Sequence, residues 1–269
     1  MLISVTGPDA RGFLQNVLTQ DLERLDRDRV VYSALLSPQG KVIADMFVWA
    51  RADGLMLDVD PTRGSDLLRR LSMYKLRANA ALEDVSAAFA VVAAGDGLNR
   101  GARDPRLAAL GQRAIVSTAD AAEFKAGERL HEDKRIALGV PDLARDAAAE
   151  EVFAGEALLE ELDGVAFDKG CFVGQENVSR MKRRATTRKK FCPIAFEGEA
   201  FAYGTAVRAG EVEIGSVRTG ATGRAIALIR LDRALEAAAA GRALSAAGRG
   251  IWLDPPEWLI LPLREDAPG

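Results

Sequence analysis

With one histidine and two cysteines in 269 residues, the chain is nearly without the side chains that build metal centres. No Cys-x-x-Cys or His-x-x-x-His spacing occurs, so no metal is expected on this chain alone. His131 stands in the polar run from Glu128 to Lys134, where a solvated position is expected rather than a place in a Ser-His-Asp triad. Cys171 and Cys192 are too few for a disulfide framework, and a reducing, cytoplasmic setting is expected. Long apolar runs are missing too. None approaches the roughly 20 residues of a bilayer span, so no membrane partner is expected. The start of the chain, Met1 to Pro8, lacks the basic region of an export signal and reads as a first strand. Neither a Walker loop nor a Gly-x-Gly-x-x-Gly after a strand is present, which excludes nucleotide binding by those routes. With a net charge of −3, any polyanion must be held by a local patch and not by the whole molecule.

What is present is ordinary apolar content with punctuated periodicity. Leu2 to Val5 reads as a strand, and Pro8-Asp9 opens a helix with Phe13, Leu14, Val17, Leu18, Leu22 and Leu25 at helical spacing. Val30 to Leu36, Lys41 to Ala50 and Gly54 to Val59 read as strands, the first two joined by the turn Ser37-Pro38-Gln39-Gly40. Ser65-Asp66 is the expected cap of a helix carrying Leu67, Leu68 and Leu71. Asp84 to Ala94 reads as one strand, Ala114 to Ser117 as another, and Glu156 to Leu162 as a helix. Beyond Phe191, short apolar runs (Phe191 to Phe196, Ala206 to Val217, Arg224 to Leu231, Trp258 to Leu263) alternate with glycine turns, and Asp232 to Leu244 is an alanine-rich helix. The expected class is α+β with antiparallel sheets, in three parts: 1–95, 96–190 and a small β-barrel over 191–269. A monomer is expected.

The stretch most charged with chemistry is Asp168-Lys169-Gly170-Cys171-Phe172-Val173-Gly174-Gln175-Glu176. Glycines allow tight turns and close approach. A neighbouring ammonium favours the thiolate, which is the nucleophilic and metal-ligating form. A buried cysteine at a strand edge between two glycine turns would have similar neighbours, so both readings stand. Seven cationic residues follow between Arg180 and Lys190, with no acid among them. They form a candidate polyanion-binding loop, against the plainer reading of a solvated charge run. No aromatics are interleaved for base stacking. Asp45 interrupts an apolar strand in which residues 43, 45, 47 and 49 share one face; if that face lines a cavity, Asp45 meets a ligand donor between Phe47 and Trp49.

Lys169 to Glu176 closely resembles the K-G-C-[YF]-x-G-Q-E motif of the YgfZ family of tetrahydrofolate-binding proteins, relatives of the glycine-cleavage T-protein. The likeness extends to Thr6 to Ala10, Phe13 to Gln15, Leu18-Thr19, Leu36 to Asp45, Arg135 to Pro141 and Gly204 to Gly215. It implies a three-domain, ring-like GcvT fold with a reduced folate near a central channel. It further implies support of iron–sulfur enzyme assembly or repair, and through those clients tRNA modification. Carried over by the motif are Cys171 as the functional thiol, Lys169, Gln175 and Glu176 beside it, and Gly170 and Gly174 as its backbone positions. Asp45, Trp49, Phe172 and Arg180 are the expected folate-binding residues.

Three departures stand out. Nothing between residues 84 and 125 matches the T-protein's tyrosine-, glycine- and acid-rich segment; Ala137 stands where its Arg-Leu-Glu-Ala-Gly run has glutamate; and Phe172 replaces the commoner tyrosine. An aminomethyltransferase-like one-carbon enzyme is therefore the alternative. A non-catalytic scaffold docking RNA or protein through residues 180–190 is a further one.

Overall fold

The structure, a computed structural model, describes residues 1–95, 97–98, 101–124, 127–183 and 187–259. The chain divides into two compact units, Met1–His131 with Ala147–Thr186, and Glu132–Asp146 with Thr187–Gly269.

The first unit opens with β1 (Leu2–Thr6), α1 (Ala10–Val17), β2 (Val30–Leu36), β3 (Val42–Arg51), β4 (Gly54–Val59), α2 (Pro61–Lys75) and β5 (Ala81–Asp84). These strands form an antiparallel sheet in the order β2-β3-β4-β1-β5. Its inner face (Ile3, Val5, Val31, Leu35, Met46, Val48, Leu55, Leu57) packs on Phe13, Leu14 and Val17 of α1 and Leu67 and Leu71 of α2. Every residue of β2 is buried, because both faces of that strand are covered. This is why Val30 to Leu36, Ser33 apart, reads as an apolar run instead of an alternation.

The helix expected to start at Ser65-Asp66 starts five residues earlier. Asp60 is the cap, accepting from the Thr62 amide at 2.8 Å, and Pro61 fills the first turn, where its missing N–H costs nothing. Asp66 instead accepts from Arg70 at 2.7 Å. Likewise, Asp84 to Ala94 is not one strand: it breaks into β5 and β6 (Phe89–Ala94). β6 joins β7 (Ala102–Arg103) and β8 (Gln112–Ser117) in a three-stranded antiparallel sheet, order β6-β8-β7. The short helix α3 (Thr118–Ala121) follows, capped by the Ser117 hydroxyl. The helix expected over Glu156 to Leu162 is a series of turns, in which Leu158 takes φ +60° and so breaks the helical path.

After α4 (Glu128–Ala137), α5 (Leu143–Asp146) and α6 (Gln175–Arg183) comes the barrel of the second unit. Its strands are β9 (Lys189–Phe196), β10 (Ala206–Ala209), β11 (Val212–Ala221) and β12 (Arg224–Arg230), then α7 (Leu231–Ala239), β13 (Leu244–Ala246) and β14 (Arg249–Leu253). They close in the order β10-β11-β12-β9-β14-β13, which leaves no free edge. Its core includes Cys192, Ile194, Phe196, Val207, Val217, Ala227, Ile229 and Ile251. The expected strand at Trp258 to Leu263 is not part of it: Trp258 lies in a turn, and residues 260–263 fall outside the described residues. The closing strands β13 (Leu-Ser-Ala) and β14 (Arg-Gly-Ile-Trp-Leu) are only three and five residues long, too short for a clear alternation.

Candidate functional site

The motif is held from beneath and open above. Lys169 is 9% exposed and donates from Nζ to the carbonyls of Gln15 (2.7 Å) in the last turn of α1 and of Leu18 (2.7 Å) and Gln20 (2.9 Å) just past it. Those carbonyls have lost their helical partners, and a cation is the natural donor there. The ammonium expected to activate the thiol thus spends its three protons on backbone, and its work is to position the loop. Burial pushes Lys169 down to about 8, with the Asp21 carboxylate opposing. Phe172 is buried, its ring 5.5 Å from Nζ. Between these two anchors Cys171 is an exposed, free thiol.

The glycines explain the sequence on the far side of the thiol. Gly174 has φ +83°, and a Cβ there would meet the Ser37 carbonyl oxygen at 2.6 Å. Gly40 has φ +82°, and its Cβ would lie 3.2 Å from that of Asn177. The Ser37 to Lys41 turn and the start of α6 therefore interlock through two glycines, and Asn177 Nδ2 donates to the Pro38 carbonyl at 3.2 Å. By contrast, Gly170 is exposed, with nothing within 4 Å of a Cβ.

Gln175 and Glu176 begin α6, half-buried and exposed respectively. Arg180 is exposed and donates to Asn177 Oδ1. Thr19, which sequence reasoning assigned no role, ties the approach to the motif. Its hydroxyl donates to the Gly164 carbonyl at 2.6 Å and accepts from the Ala34 amide at 2.8 Å. Three stretches singled out in the sequence, at Leu18-Thr19, at Ser37 to Lys41 and at Lys169 to Glu176, meet here. No compositional signal marks Thr19, since a side chain that serves backbone groups leaves no pattern in sequence.

The basic run is not one loop. Arg180, Lys182 and Arg183 lie in the last turns of α6, residues 184–186 fall outside the described residues, and Lys189 and Lys190 begin β9. Long basic side chains are good helix formers, so their density does not itself signal a loop. Lys182 is paired with Glu160 at 2.7 Å and lies 3.7 Å from the Phe167 ring centroid.

The expected folate-binding residues fall in three places. Asp45 and Trp49 lie on the outer face of β3, Phe172 is packed beneath the thiol, and Arg180 is on α6. Ile43 does not share the outer face: a bulge where β2 changes register between Leu35 and Leu36 turns it into the inner core. Asp45 accepts from Tyr32 Oη at 2.8 Å. Trp49 is 5% exposed. Over the Phe47 ring lie the guanidinium carbons of Arg113, at 3.8 Å, and Arg106, at 4.8 Å. Phe47 and Trp49 are thus buried on this face. Arg106 closes the glycine- and arginine-rich stretch Gly95 to Arg106, which reads in sequence as a boundary or loop, and Arg113 lies in β8, one residue before the strand expected at Ala114 to Ser117.

In the second unit Arg135 is 2% exposed and donates to the Val140 carbonyl at 3.0 Å, to Asp146 Oδ2 at 3.2 Å and to Thr219 Oγ1 at 2.7 Å. Ala137, where the T-protein has glutamate, is exposed, and its carbonyl accepts from Arg224 at 3.0 Å.

Comparison with known proteins adds to this geometry. Residues 1–95 match the GCVT N-terminal domain family, and residues 188–260 match the CAF17 C-terminal beta-barrel domain family. A relative from Pyricularia oryzae, named iron-sulfur cluster assembly factor IBA57 homolog, mitochondrial, is 31% identical over 71% of this chain and 54% of its own length. The Homo sapiens protein named iron-sulfur cluster assembly factor IBA57, mitochondrial, is 28% identical over 72% of this chain and 64% of its own. The chain thus spans a little over half the length of the fungal relative. The crystal structure of glycine cleavage system aminomethyltransferase T from Bartonella henselae superposes with a TM-score of 0.75 at 13% identity, covering 96% of this chain and 83% of that one. The fold is GcvT-like: α+β, with antiparallel sheets, helices and a closed six-stranded barrel.

The relatives' mitochondrial designation overturns the cytoplasmic expectation. The small number of cysteines carried that expectation, and a cysteine count does not separate one compartment from another.

Proposed function

From a GcvT-like fold that presents its motif thiol at the surface, we propose that this chain is an accessory factor in the assembly or repair of iron–sulfur proteins, with Cys171 as its working thiol. One observation carries the reading. Cys171 is exposed while the residues around it are fixed: Lys169 by three carbonyls, Phe172 by burial, Gly174 by the hairpin turn. A thiol that served packing would be inside, as Cys192 is. The names of the relatives and the YgfZ-like motif support the same pathway. A thiolate is a soft ligand for iron and a nucleophile toward sulfur, and an exposed one on a rigid platform is available to a client or assembly protein. Effects on tRNA modification follow through such clients.

The test is complementation in cells that lack the endogenous factor, reading the activity of iron–sulfur enzymes. Cys171→Ala is expected to abolish rescue with an unchanged melting temperature, and Cys192→Ala to retain it. Full rescue by Cys171→Ala ends the thiol role.

A reduced folate is the ligand class that a GcvT-like fold supports, and it forms the second part of the proposal. The residues expected for it lie in three places, on β3, beneath the thiol and on α6. Saturating 5-formyltetrahydrofolate at a hundred times its dissociation constant would stabilise the chain by about 2.7 kcal/mol. Absence of any thermal shift removes the folate part and leaves the thiol.

A further inference from the structure

The outer face of β3 carries an aromatic and carboxylate arrangement that the thiol reading does not use. Tyr32 and Phe47 are cross-strand partners with ring centroids 5.4 Å apart, and Phe47 is in turn paired with Asp58 of β4. Upon these rings lie two guanidinium groups. Arg113 lies 3.8 Å above the Phe47 centroid and donates to Asp58 Oδ2 at 2.6 Å, with Asp104 Oδ2 3.7 Å from its Nη1. Arg106 grips Asp104 with two parallel bonds, Nε to Oδ1 at 3.0 Å and Nη2 to Oδ2 at 2.8 Å, while its carbon lies 5.5 Å from the Tyr32 centroid. The Arg106 and Asp104 side chains are only 7% and 2% exposed.

Burial by itself would lower Arg106 and raise Asp104, yet the pair moves both the other way, so each is held charged. Arg113 Nε and Trp49 Nε1 are buried on this face with no hydrogen-bond partner among the described residues. Buried polar groups are ordinarily paired, so these two need an explanation.

A flat cation laid on an aromatic ring, with carboxylates at its N–H edge, is the chemistry that recognises an N–C(NH2)–N unit. The 2-aminopyrimidinone edge of a pterin carries the same unit. We infer that Arg106 and Arg113 are specificity-determining residues: they fill, from within the chain, a box built for a planar guanidine-like edge, and so exclude a pterin from the outer face of β3. The inference rests on the folate part of the proposed function for its biological meaning, but the box itself is tested without folate.

Methylguanidinium is the direct probe. Arg113→Ala leaves an aromatic floor and two carboxylates, and millimolar methylguanidinium is expected to raise the melting temperature of this variant, with no such rise for wild type or with methylurea. Loss of one charged pair of bonds is worth at least about tenfold in affinity, so Arg113→Ala should also bind 6-hydroxymethylpterin at least about tenfold tighter than wild type. Phe47→Leu in the otherwise native chain is expected to leave wild-type binding of 5-formyltetrahydrofolate unchanged.

A folded Arg113→Ala that gains neither ligand overturns the inference. So does a wild-type folate affinity that falls in Phe47→Leu. If Arg113→Ala does not fold, Arg113→Val, which suits strand β8 and also vacates the box, carries the same titrations. Should wild type bind no folate while Arg113→Ala gains the pterin, the folate proposal fails and the box stands.

Discussion

Two cysteines in one chain meet opposite fates. Cys171 stands in the open on a loop whose neighbours are pinned, whereas Cys192 is fully buried among Ile194, Val207 and Val217 inside the barrel. Burial, reinforced by Asp254, pushes the Cys192 thiol up to about 12, far from any thiolate role at neutral pH. The difference is not in their immediate polarity, since each has a large apolar residue beside it. It comes from what the surrounding backbone does. At Cys192 a strand is paired on both sides in a closed barrel and its side chains alternate inward. At Cys171 the chain is tied down two residues before and three residues after, and the segment between stands clear.

The sharpest way to break this comparison is alkylation. Iodoacetamide is expected to label Cys171 at least about a thousandfold faster than Cys192, which is reached only through openings that approach global unfolding. Comparable rates would remove the contrast.

Next in size is the tether. Lys169→Met leaves three carbonyls without their donor and should lower stability by about 3 kcal/mol in urea unfolding. An unchanged midpoint would show that the loop is held otherwise. The same residue makes a pH prediction. Its folded value of about 8 lies below the ordinary 10.5, so between these values the unfolded chain binds more protons, and stability rises with pH across that window. The Lys169→Met variant should lack this rise relative to wild type; equal slopes would refute the assignment.

Gly174→Ala should cost about 2 kcal/mol, from the left-handed backbone and the close Ser37 oxygen. Gly170→Ala, in open space with an ordinary backbone, should stay within about 0.5 kcal/mol. If the two glycines behave alike, the motif's spacing is not explained by the hairpin contact.

Much of the fold was legible because apolar periodicity is a local property. The strands at Leu2–Thr6, Val30–Leu36 and Gly54–Val59 lie where their patterns put them, whereas the helix opened by Pro8-Asp9 stops at Val17 and leaves Leu22 and Leu25 in a separate 3-10 turn. Boundaries and exceptions were harder. The cap at Asp60-Pro61 was passed over for Ser65-Asp66, which makes an equally good local signal. The turns at Glu156 to Leu162 have helical composition, but Leu158, fully buried with positive φ, is held there by packing. The basic residues from Arg180 to Lys190 looked like one feature and belong to a helix and a strand.

The sequence by itself determined that the class is α+β and that a small β-barrel follows Phe191. These follow from residue types and short spacings, which need no knowledge of distant partners. Only the tertiary structure decided that Lys169 serves carbonyls about 150 positions away, that Gly174 faces Gly40, and that two arginines roof Phe47. The reason is physical. A cation, a glycine or a ring carries the same local signature whatever it meets, and what it meets is set by which chain segments the hydrophobic cores bring together.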